Sequence, residues 1–297
     1  MKKRIDLHIH TNKSDGALTP KEVIDEAVRN GVDTIAIADH DTVEAYDDSL
    51  FEYAKANNVK LIKAVEISTK IAKAGIHVLG YNIDLKNAEL NEKLYALRNA
   101  RHIYLHNVAQ KLEELGYKVN VDELDKVDAV TKAHISLDVV TNSENKEILM
   151  QNFEHIPEKG EFIETIMNEG CPAYTKKETI TPKEAAELIR IAGGKAVLAH
   201  PVAYEHEDNL TDGEILDIVK DMKADGIETN YIYINRKNET INEIKKWNEF
   251  ASKCNLPVTI GSDFHNKDGI RPEIGLINKD VDFSEEYLEK IISWIEE

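Results

Sequence analysis

Two histidines near the amino terminus, His8 and His10, have the type and spacing that could bind a metal ion. They lie in the segment 4–11, where apolar residues occupy every second position. This period of two predicts a short strand with its apolar side chains on one face and both imidazoles on the other. Neutral imidazole is the commonest metal ligand in proteins, so the pair predicts a shared ion if other strands supply further ligands.

Seven further residues have metal-binding side chains, and the four histidines among these seven lie on or just after apolar strands. The seven residues are Asp15, His40, Glu66, His77, His200, Asp263 and His265. Taken singly, each histidine is better explained as a core residue with a hydrogen-bond partner. Taken together they are too many for an ordinary core, because each buried and unpaired polar group costs about 1–3 kcal/mol. A metal cluster removes that cost by using their lone pairs.

Two copies of one local unit position some of these residues. Thr19-Pro20-Lys21-Glu22 and Thr181-Pro182-Lys183-Glu184 are capping boxes with proline at the first helical position, and each predicts a helix that ends at glycine. A predicted strand follows each helix, at 33–39 and at 195–199, and a histidine follows each strand. This alternation of helix and strand is typical of α/β architecture.

Other predicted strands carry a candidate ligand in the same way. They occupy residues 59–67, 75–81, 226–229 and 256–260, and the second of them carries His77. About seven strands, most of them separated by helices, predict a barrel of parallel strands. In such barrels the chemistry lies at the carboxyl ends of the strands, where we expect these side chains to meet.

The segment 86–171 interrupts the alternation. Residues 88–116 predict one long amphipathic helix, and shorter helical stretches follow it. We therefore predict a barrel domain formed by residues 1–85 and 172–297, with 86–171 as a helical insertion that caps the barrel mouth. The insertion contains His134, within Thr131-Lys132-Ala133-His134-Ile135, which we expect to contribute to the site.

Composition limits the function classes. The 297 residues include 37 Lys and Arg against 55 Asp and Glu, and the formal net charge of −18 opposes binding to long nucleic acids. The two cysteines favour a reducing compartment, and no stretch resembles a membrane span or a signal peptide. We expect a cytoplasmic protein, either a monomer or a small homo-oligomer, with no membrane partner.

Four other histidines are predicted to lie outside the site. His102 and His106 are four residues apart, which is a metal-ligand spacing, but they fall on the polar face of the long helix and lack the intervening Glu of a zinc-protease motif. His155 and His206 occur in polar stretches. We interpret all four as surface residues.

The ordered set of motifs resembles the PHP (polymerase and histidinol phosphatase) superfamily over nearly the whole chain. The matching residues are His8-x-His10 with Asp15-Gly16, Asp39-His40-Asp41, Glu66, His77, Ala199-His200-Pro201 and Ser262-Asp263-x-His265. The chain looks most like the nucleotide phosphatase branch, whose members carry a helical insertion. The resemblance implies an α/β fold, namely a distorted (β/α)7 TIM-like barrel with an inserted helical subdomain.

The resemblance also implies a site with three divalent metal ions, either manganese, iron or zinc. His8, His10, Glu66 and Asp263 would hold the first ion; Glu66, His77 and His134 the second; and Asp15, His40 and His265 the third. The implied reaction is hydrolysis of a phosphomonoester of a small nucleotide, such as a nucleoside 3′,5′-bisphosphate, by attack of a metal-bridging hydroxide. Glu66, His200 and Asp263 would be catalytic.

Substrate contacts would come from His200, Lys132 and Arg236. The branch usually has Arg where Lys132 stands, and lysine keeps the charge but loses the bidentate fork. The stretch Thr229-Asn230-Tyr231 also differs from the usual apolar and aromatic pair.

Several other functions remain open at this point. A histidinol-phosphate phosphatase and a 5′–3′ exonuclease on short oligonucleotides would share the ligand set. A metal-dependent amidohydrolase would share the barrel. A metal-binding regulatory module without catalysis is the alternative outside the enzymes.

Overall fold

A computed structural model describes residues 4–127, 130–176, 179–276 and 283–297 of the chain. Its strands are β1 (Ile5–Ile9), β2 (Thr34–Ile37), β3 (Lys60–Lys70), β4 (Gly75–Tyr81), β5 (Lys195–Leu198), β6 (Gly226–Asn230), β7 (Tyr233–Ile234), β8 (Thr240–Ile241) and β9 (Val258–Ile260). Seven of these strands form one sheet in the order β1-β2-β3-β4-β5-β6-β9, while β7 and β8 form a separate hairpin.

The two edges of the seven-stranded sheet meet, so that the sheet forms a nearly closed barrel. The main-chain N–H of His10 donates to the carbonyl of Phe264, just after β9, at 2.9 Å, and that of Asp263 donates to the carbonyl of His8 at 2.9 Å. The predicted TIM-like α/β fold is thereby confirmed.

One strand departs from the predicted parallel arrangement. β4 runs antiparallel to both of its neighbours, β3 and β5, whereas the other neighbouring pairs are parallel. The prediction that every ligand lies at the carboxyl end of a parallel strand was therefore wrong for His77, which lies near the start of β4. Because β4 is reversed, its start lies at the same end of the barrel as the carboxyl ends of the parallel strands.

The helices are α1 (Pro20–Arg29), α2 (Asp48–Ala56), α3 (Ala88–Glu114), α4 (Val121–Leu124), α5 (Lys132–Thr141), α6 (Lys146–Phe153), α7 (Lys159–Phe162), α8 (Pro182–Ile191), α9 (Pro201–Asp208), α10 (Asp212–Asp221), α11 (Ile244–Cys254) and α12 (Glu285–Glu296). A 3₁₀ turn covers Ser143–Asn145 and a π-helical turn covers Ile163–Met167. The predicted capping boxes at Thr19 and Thr181 are both confirmed, since each hydroxyl accepts from the main-chain N–H of the glutamate three residues later. The predicted long helix is confirmed as α3.

The chain divides into two compact units, one of Met1–Leu94 with Ile180–Glu297 and one of Tyr95–Thr179. The first unit contains the barrel. One of its apolar clusters joins Leu7 of β1 and Val197 of β5 to α12, and another joins β2 to α1 and α2. The second unit has a core of its own, in which Leu105, Val108 and Leu112 of α3 pack with Phe162. The domain bounds 1–85 with 172–297 and 86–171 stay a prediction.

Candidate metal centre

Strand β1 brings His8 and His10 into the barrel, where both side chains are completely buried. The strand is not regular, because its pairing with β2 shifts register between Asp6 and Ile9. Asp6, which is also fully buried, accepts from the main-chain N–H groups of His8, Ser262 and Gly275. These bonds fix β1 to the loop after β9, which carries the last two candidate ligands.

The loop 11–16 after β1 carries Asp15, and a second buried carboxylate holds this loop in shape. Asp39 accepts from the main-chain N–H of Thr11, the hydroxyl of Thr11 and the hydroxyl of Ser14, each at 2.6 Å. The loop returns so close to β1 that a Cβ on Gly16 would lie 2.4 Å from the carbonyl oxygen of His10. Only glycine therefore fits at this position without a shift of the loop.

The remaining candidate ligands come from the ends of the other strands. His40 follows β2 and forms an isolated bridge with Glu66 of β3. His77 of β4 lies in register with Ser68, two residues after Glu66, because β3 and β4 form an antiparallel pair. Asp263 and His265 follow β9, and Asp263 adopts a left-handed backbone conformation with φ of 53°. A non-glycine residue in this conformation is uncommon and often marks a functional site.

Four side chains form the first group of donor atoms, namely His8, His10, Glu66 and Asp263. The Nε2 atoms of the two histidines are 3.1 Å apart, and Glu66 Oε2 lies 3.2 Å from each of them. Asp263 Oδ1 lies 3.5 Å from His8 Nε2 and 3.2 Å from His10 Nε2. Tetrahedral ligands at 2.0–2.1 Å from a zinc-like ion would be about 3.3 Å apart. These donor spacings therefore fit a divalent cation.

Two further groups share members with the first. His10, Asp15, His40 and His265 form one, in which Asp15 Oδ1 lies 3.3 Å from His265 Nε2 and 3.5 Å from His10 Nδ1. His40, Glu66 and His77 form the other, with His77 Nδ1 3.0 Å from Glu66 Oε1 and His40 Nδ1 3.1 Å from Glu66 Oε2. The Glu66 carboxylate thus lies between neighbouring groups.

Several buried donor atoms of the cluster make no hydrogen bond among the described residues. They are Asp15 Oδ1, His40 Nδ1, Glu66 Oε2 and His77 Nδ1. Buried polar atoms in proteins are nearly always satisfied, so such a concentration of exceptions needs a cause. Lone pairs that converge on one volume are satisfied by divalent cations, and the residues therefore fit metal binding.

Burial and neighbouring charge act on these groups in opposite directions. Burial lowers the pKa of His40 well below its ordinary value, which favours the neutral form that binds metal. Burial also opposes the charge of His10, but its contacts with Asp263 and Glu66 prevail and raise its pKa to about 10. Protons and metal ions therefore compete for His10, because a ligand must be deprotonated to bind.

The cluster opens into a cleft with a volume of about 430 Å³. His40, Glu66, His77, His200, Asp263 and His265 all contribute to its lining. The lining also includes Tyr231, Tyr233, Glu207, Asp208 and Arg271. A small ligand in this cleft would contact the cluster together with aromatic and charged side chains.

His200 is the predicted catalytic residue that lines the cleft without belonging to any of the three groups. Its Nε2 lies 3.1 Å from Glu66 Oε1, and the side chain is almost fully buried. Its φ is positive, at 22°, which is uncommon for a residue other than glycine. His200 also precedes α9 directly, since Pro201 is the first residue of that helix.

Two of the other sequence-predicted site residues belong to the second unit, and the third lies in a hairpin of the first. Lys132 and His134 belong to the second unit, where Lys132 Nζ donates to Asn168 and His134 is the third residue of α5. Arg236 lies in the turn between β7 and β8 and is not among the residues that line the cleft. Their roles in metal or phosphate binding stay predictions.

The histidines that we predicted to be surface residues make carboxylate contacts. His102 and His106 both contact Asp125, at 3.0 and 2.7 Å, and His155 contacts Glu161 at 2.9 Å. His206 lies with Glu205 and Glu243 in a further group of donor atoms. The ammonium of Lys246 contacts both of these glutamates and so already supplies positive charge there.

Sequence reasoning missed two residues. The strand 226–229 was predicted without a role for Glu228, yet the carboxylate of this residue contacts the ring of His8 at 3.1 Å. Arg271 carried no signal, because it lies in a loop eight residues after Asp263 with no motif around it. Arg271 reaches the cleft because the loop after β9 passes along it, and this loop path has no local sequence pattern.

Among the described residues, no helix combines the length and the apolar character that crossing a bilayer requires.

Residues 6–168 match the sequence model of the PHP domain. A relative from Haemophilus influenzae named 5′-3′ exoribonuclease is 30% identical over 270 residues, which cover 89% of this chain and 91% of the relative. A relative from Chromobacterium violaceum named 3′,5′-nucleoside bisphosphate phosphatase is 26% identical over 88% of this chain and 87% of its own. A solved structure from Chromobacterium violaceum, described as an amidohydrolase with bound sulfate and no metal, has a TM-score of 0.73 and 24% identity over 98% of this chain and 96% of that one. This structural likeness supports the barrel fold.

Proposed function

The chain belongs to the PHP domain family and is a hydrolase of phosphoric esters, and on this premise we propose that it removes a phosphate from a small nucleotide. A nucleoside 3′,5′-bisphosphate, hydrolysed to the nucleoside 5′-monophosphate, is the proposed substrate. The observation that carries the proposal is the convergence of five histidines and three carboxylates at one end of the barrel, facing a cleft of small-molecule size.

The charge of the cluster is suited to a phosphate group once metal ions are bound. We propose three divalent ions, manganese, iron or zinc, held by the three groups of donor atoms, with His134 as a further ligand. Three such ions carry six positive charges, of which Asp15, Glu66 and Asp263 neutralise three. The remaining positive charge favours a phosphate dianion, although the formal charge of the chain is −18.

When bound, divalent ions supply a strong nucleophile from water at neutral pH and stabilise negative charge on phosphoryl oxygens. The chain itself supplies the orientation. His200 lines the cleft with Nε2 held near Glu66 Oε1 at 3.1 Å. Because Nε2 faces a carboxylate and carries a proton, Nδ1, which makes no hydrogen bond among the described residues, is protonated only in the imidazolium form; in that form His200 can donate a proton to a phosphate oxygen or to the leaving alkoxide. Asp263 and Glu66 hold the histidines around the reacting phosphate.

The remainder of the cleft suits the nucleoside and a second phosphate. The side chains of Tyr231 and Tyr233 offer aromatic surface on which a base can stack. Arg271 places a guanidinium at the same cleft, and guanidinium groups bind phosphate through paired hydrogen bonds. We therefore propose that Arg271 contacts the phosphate that is not hydrolysed. Lys132 and Arg236 remain candidate phosphate contacts.

A 5′–3′ exonuclease that acts on short oligoribonucleotides is the second candidate. It is favoured by the relative from Haemophilus influenzae, which matches at 30% identity over nearly the whole chain and is named for that activity. The same cluster could cleave a phosphodiester. The strongly negative charge of the chain restricts such substrates to short strands, because each added phosphate increases the repulsion.

The proposal is tested by incubating the manganese-loaded protein with a panel of substrates and measuring inorganic phosphate and nucleotide products. The panel contains adenosine 3′,5′-bisphosphate, AMP, a 5′-phosphorylated trinucleotide and histidinol phosphate. We expect the bisphosphate to be the best substrate, with AMP and phosphate as products. Release of nucleoside 5′-monophosphates from the trinucleotide alone would favour the exonuclease. A metal-replete protein that releases phosphate from no phosphomonoester would refute the proposal.

The control for the panel is Glu66→Gln, purified in the same way. Its carboxylate contacts five imidazoles at 3.0–3.2 Å, so the amide variant should lose activity on every substrate that the native site hydrolyses. Activity that persists in Glu66→Gln would come from a contaminant or from another site.

A further inference from the structure

Glu228 is a completely buried carboxylate that none of the three groups of donor atoms includes. It lies in β6, between the strands that carry His200 and the loop 261–265. Both of its oxygens approach His8 Nδ1, at 3.1 and 3.2 Å. The main-chain N–H of His200 donates to Glu228 Oε2 at 2.9 Å. One side chain thus touches a candidate metal ligand and the main chain of the candidate catalytic histidine.

The contact with His8 determines which ring nitrogen carries the proton. A carboxylate can only accept a hydrogen bond, so Nδ1 of His8 must be the donor. In the neutral ring this leaves the lone pair on Nε2, which faces His10, Glu66 and Asp263. Carboxylates that orient metal-bound histidines in this way typically change metal affinity by about 10- to 100-fold when they are removed.

The contact with His200 supports an uncommon backbone conformation. Residues other than glycine with φ near 22° persist only where the surrounding structure holds them. The bond from the His200 N–H to Glu228 ties this residue to β6. Pro201 follows directly and lacks an N–H group, so no donor from that position competes for the carboxylate.

The packing around Glu228 leaves the carboxylate little freedom to move. A Cβ on Gly261 would lie 2.4 Å from Glu228 Oε1 and 2.3 Å from the Cβ of His8. The chain after β9 therefore passes within contact distance of both side chains, and glycine alone fits there. This close approach restricts movement of the Glu228–His8 pair.

We propose that Glu228 is a positioning residue that presents Nε2 of His8 to the metal site and holds the main chain of His200 beside it. It touches neither substrate nor metal. Its loss therefore weakens metal binding through His8 and displaces His200 through the backbone. The inference depends on metal binding by the cluster and is independent of which phosphoric ester is hydrolysed.

The first test is the affinity for Zn²⁺, measured by competition with a chromophoric chelator. Glu228→Gln keeps the shape of the side chain but replaces one acceptor oxygen with an NH2 donor. Both oxygen positions lie 3.1–3.2 Å from His8 Nδ1, so in either orientation this donor faces the N–H of His8. We expect a 10- to 100-fold higher dissociation constant for at least one ion. Glu228→Asp keeps both acceptors on a shorter side chain, and we expect an intermediate value.

The matched control is Glu26→Gln, since Glu26 is also a buried glutamate but pairs with Lys267 and Arg29. It should leave zinc affinity unchanged, whatever it does to thermal stability. An unchanged zinc affinity in Glu228→Gln, or an equal loss in Glu26→Gln, would overturn the proposal.

The second test needs no variant and therefore does not depend on whether Glu228→Gln folds. In the zinc-loaded native protein, long-range ¹⁵N–¹H correlation spectra report which nitrogen of each histidine is protonated. We expect His8 to carry its proton on Nδ1. A proton on Nε2 of His8 would contradict the proposal even if the protein proved to be an active phosphatase. If His8 carries its proton on Nδ1 but the native protein hydrolyses no phosphoric ester, the result would count against the proposed function alone.

Discussion

Replacing Gly16 with alanine perturbs the site at a position that carries no functional group. The added Cβ would lie 2.4 Å from the carbonyl oxygen of His10, 2.5 Å from its carbonyl carbon and 2.7 Å from the nitrogen of Thr11. All three are main-chain atoms, so no rotamer change can relieve the contact. An ordinary non-bonded separation is about 3.5 Å. The loop would therefore have to move by about 1 Å.

That displacement is large compared with what a metal site tolerates. Asp15 precedes Gly16 directly, and its Oδ1 lies 3.3 Å from His265 Nε2. Metal–ligand distances are held to within about 0.2 Å, and a misplacement of about 1 Å at a catalytic site can cost about 100-fold in rate. The three bonds that Asp39 accepts from the loop resist the movement. Overpacking of this kind typically destabilises the fold by about 1–3 kcal/mol.

The assay combines metal content, by mass spectrometry after dialysis, with the rate of phosphate release and the melting temperature. We expect Gly16→Ala to lose the ion associated with Asp15 and to lose about 100-fold in kcat. Gly160→Ala is the matched control, because a Cβ there meets no atom within 4 Å. It should retain native metal content and kcat. A Gly16→Ala protein with native metal content and kcat would refute the assigned role of this loop.

Three further predictions concern single side chains. Arg271→Ala should raise KM for adenosine 3′,5′-bisphosphate by about 10- to 100-fold, because a charged hydrogen bond contributes about 1.5–3 kcal/mol. KM for 3′-AMP, which lacks the second phosphate, should change much less. An equal effect on both substrates in steady-state assays would remove Arg271 from the second-phosphate site. Lys132→Ala should raise KM for all phosphomonoesters about tenfold if its ammonium binds phosphate, and unchanged kinetics would exclude that contact. The Lys73 ammonium and the Thr211 N–H lower the pKa of Glu214 from 4.5 to about 2, so this ion pair stabilises the fold above pH 4.5 and loses its effect as the pH falls towards 2. Melting curves of Glu214→Gln should therefore lie below those of the native protein at pH 7 and converge with them near pH 2, and a constant difference would contradict the assignment.

The direction of strand β4 was predicted wrongly, although the sequence contained a signal for it. The predicted strands 59–67 and 75–81 are separated by only seven residues, whereas a parallel crossover needs about a dozen. That spacing already excludes a parallel pair. The regular alternation of helices and strands in the rest of the chain nevertheless led to the prediction that all strands are parallel. In the structure β3 extends to Lys70, and Ile71 closes the hairpin by donating to the carbonyl of Ala74.

Local patterns predicted the residues whose surroundings are set by their own element. The alternation that places His8 and His10 on one face and the capping boxes at Thr19 and Thr181 are of this kind, since each depends on residues within a few positions in sequence. Glu228 is different, because its contacts with His8 and His200 are 220 and 28 residues away. No periodicity encodes such pairs. They follow from the order in which the strands close the barrel.

The most direct test of the account is to titrate the metal-free protein with Mn²⁺ and to follow bound metal and phosphate release from adenosine 3′,5′-bisphosphate in the same samples. We predict that the metal-free protein is inactive and that activity rises with bound metal and levels off at three ions per chain. Full activity without metal, or three bound ions with no phosphate release from this or any other phosphomonoester, would contradict it.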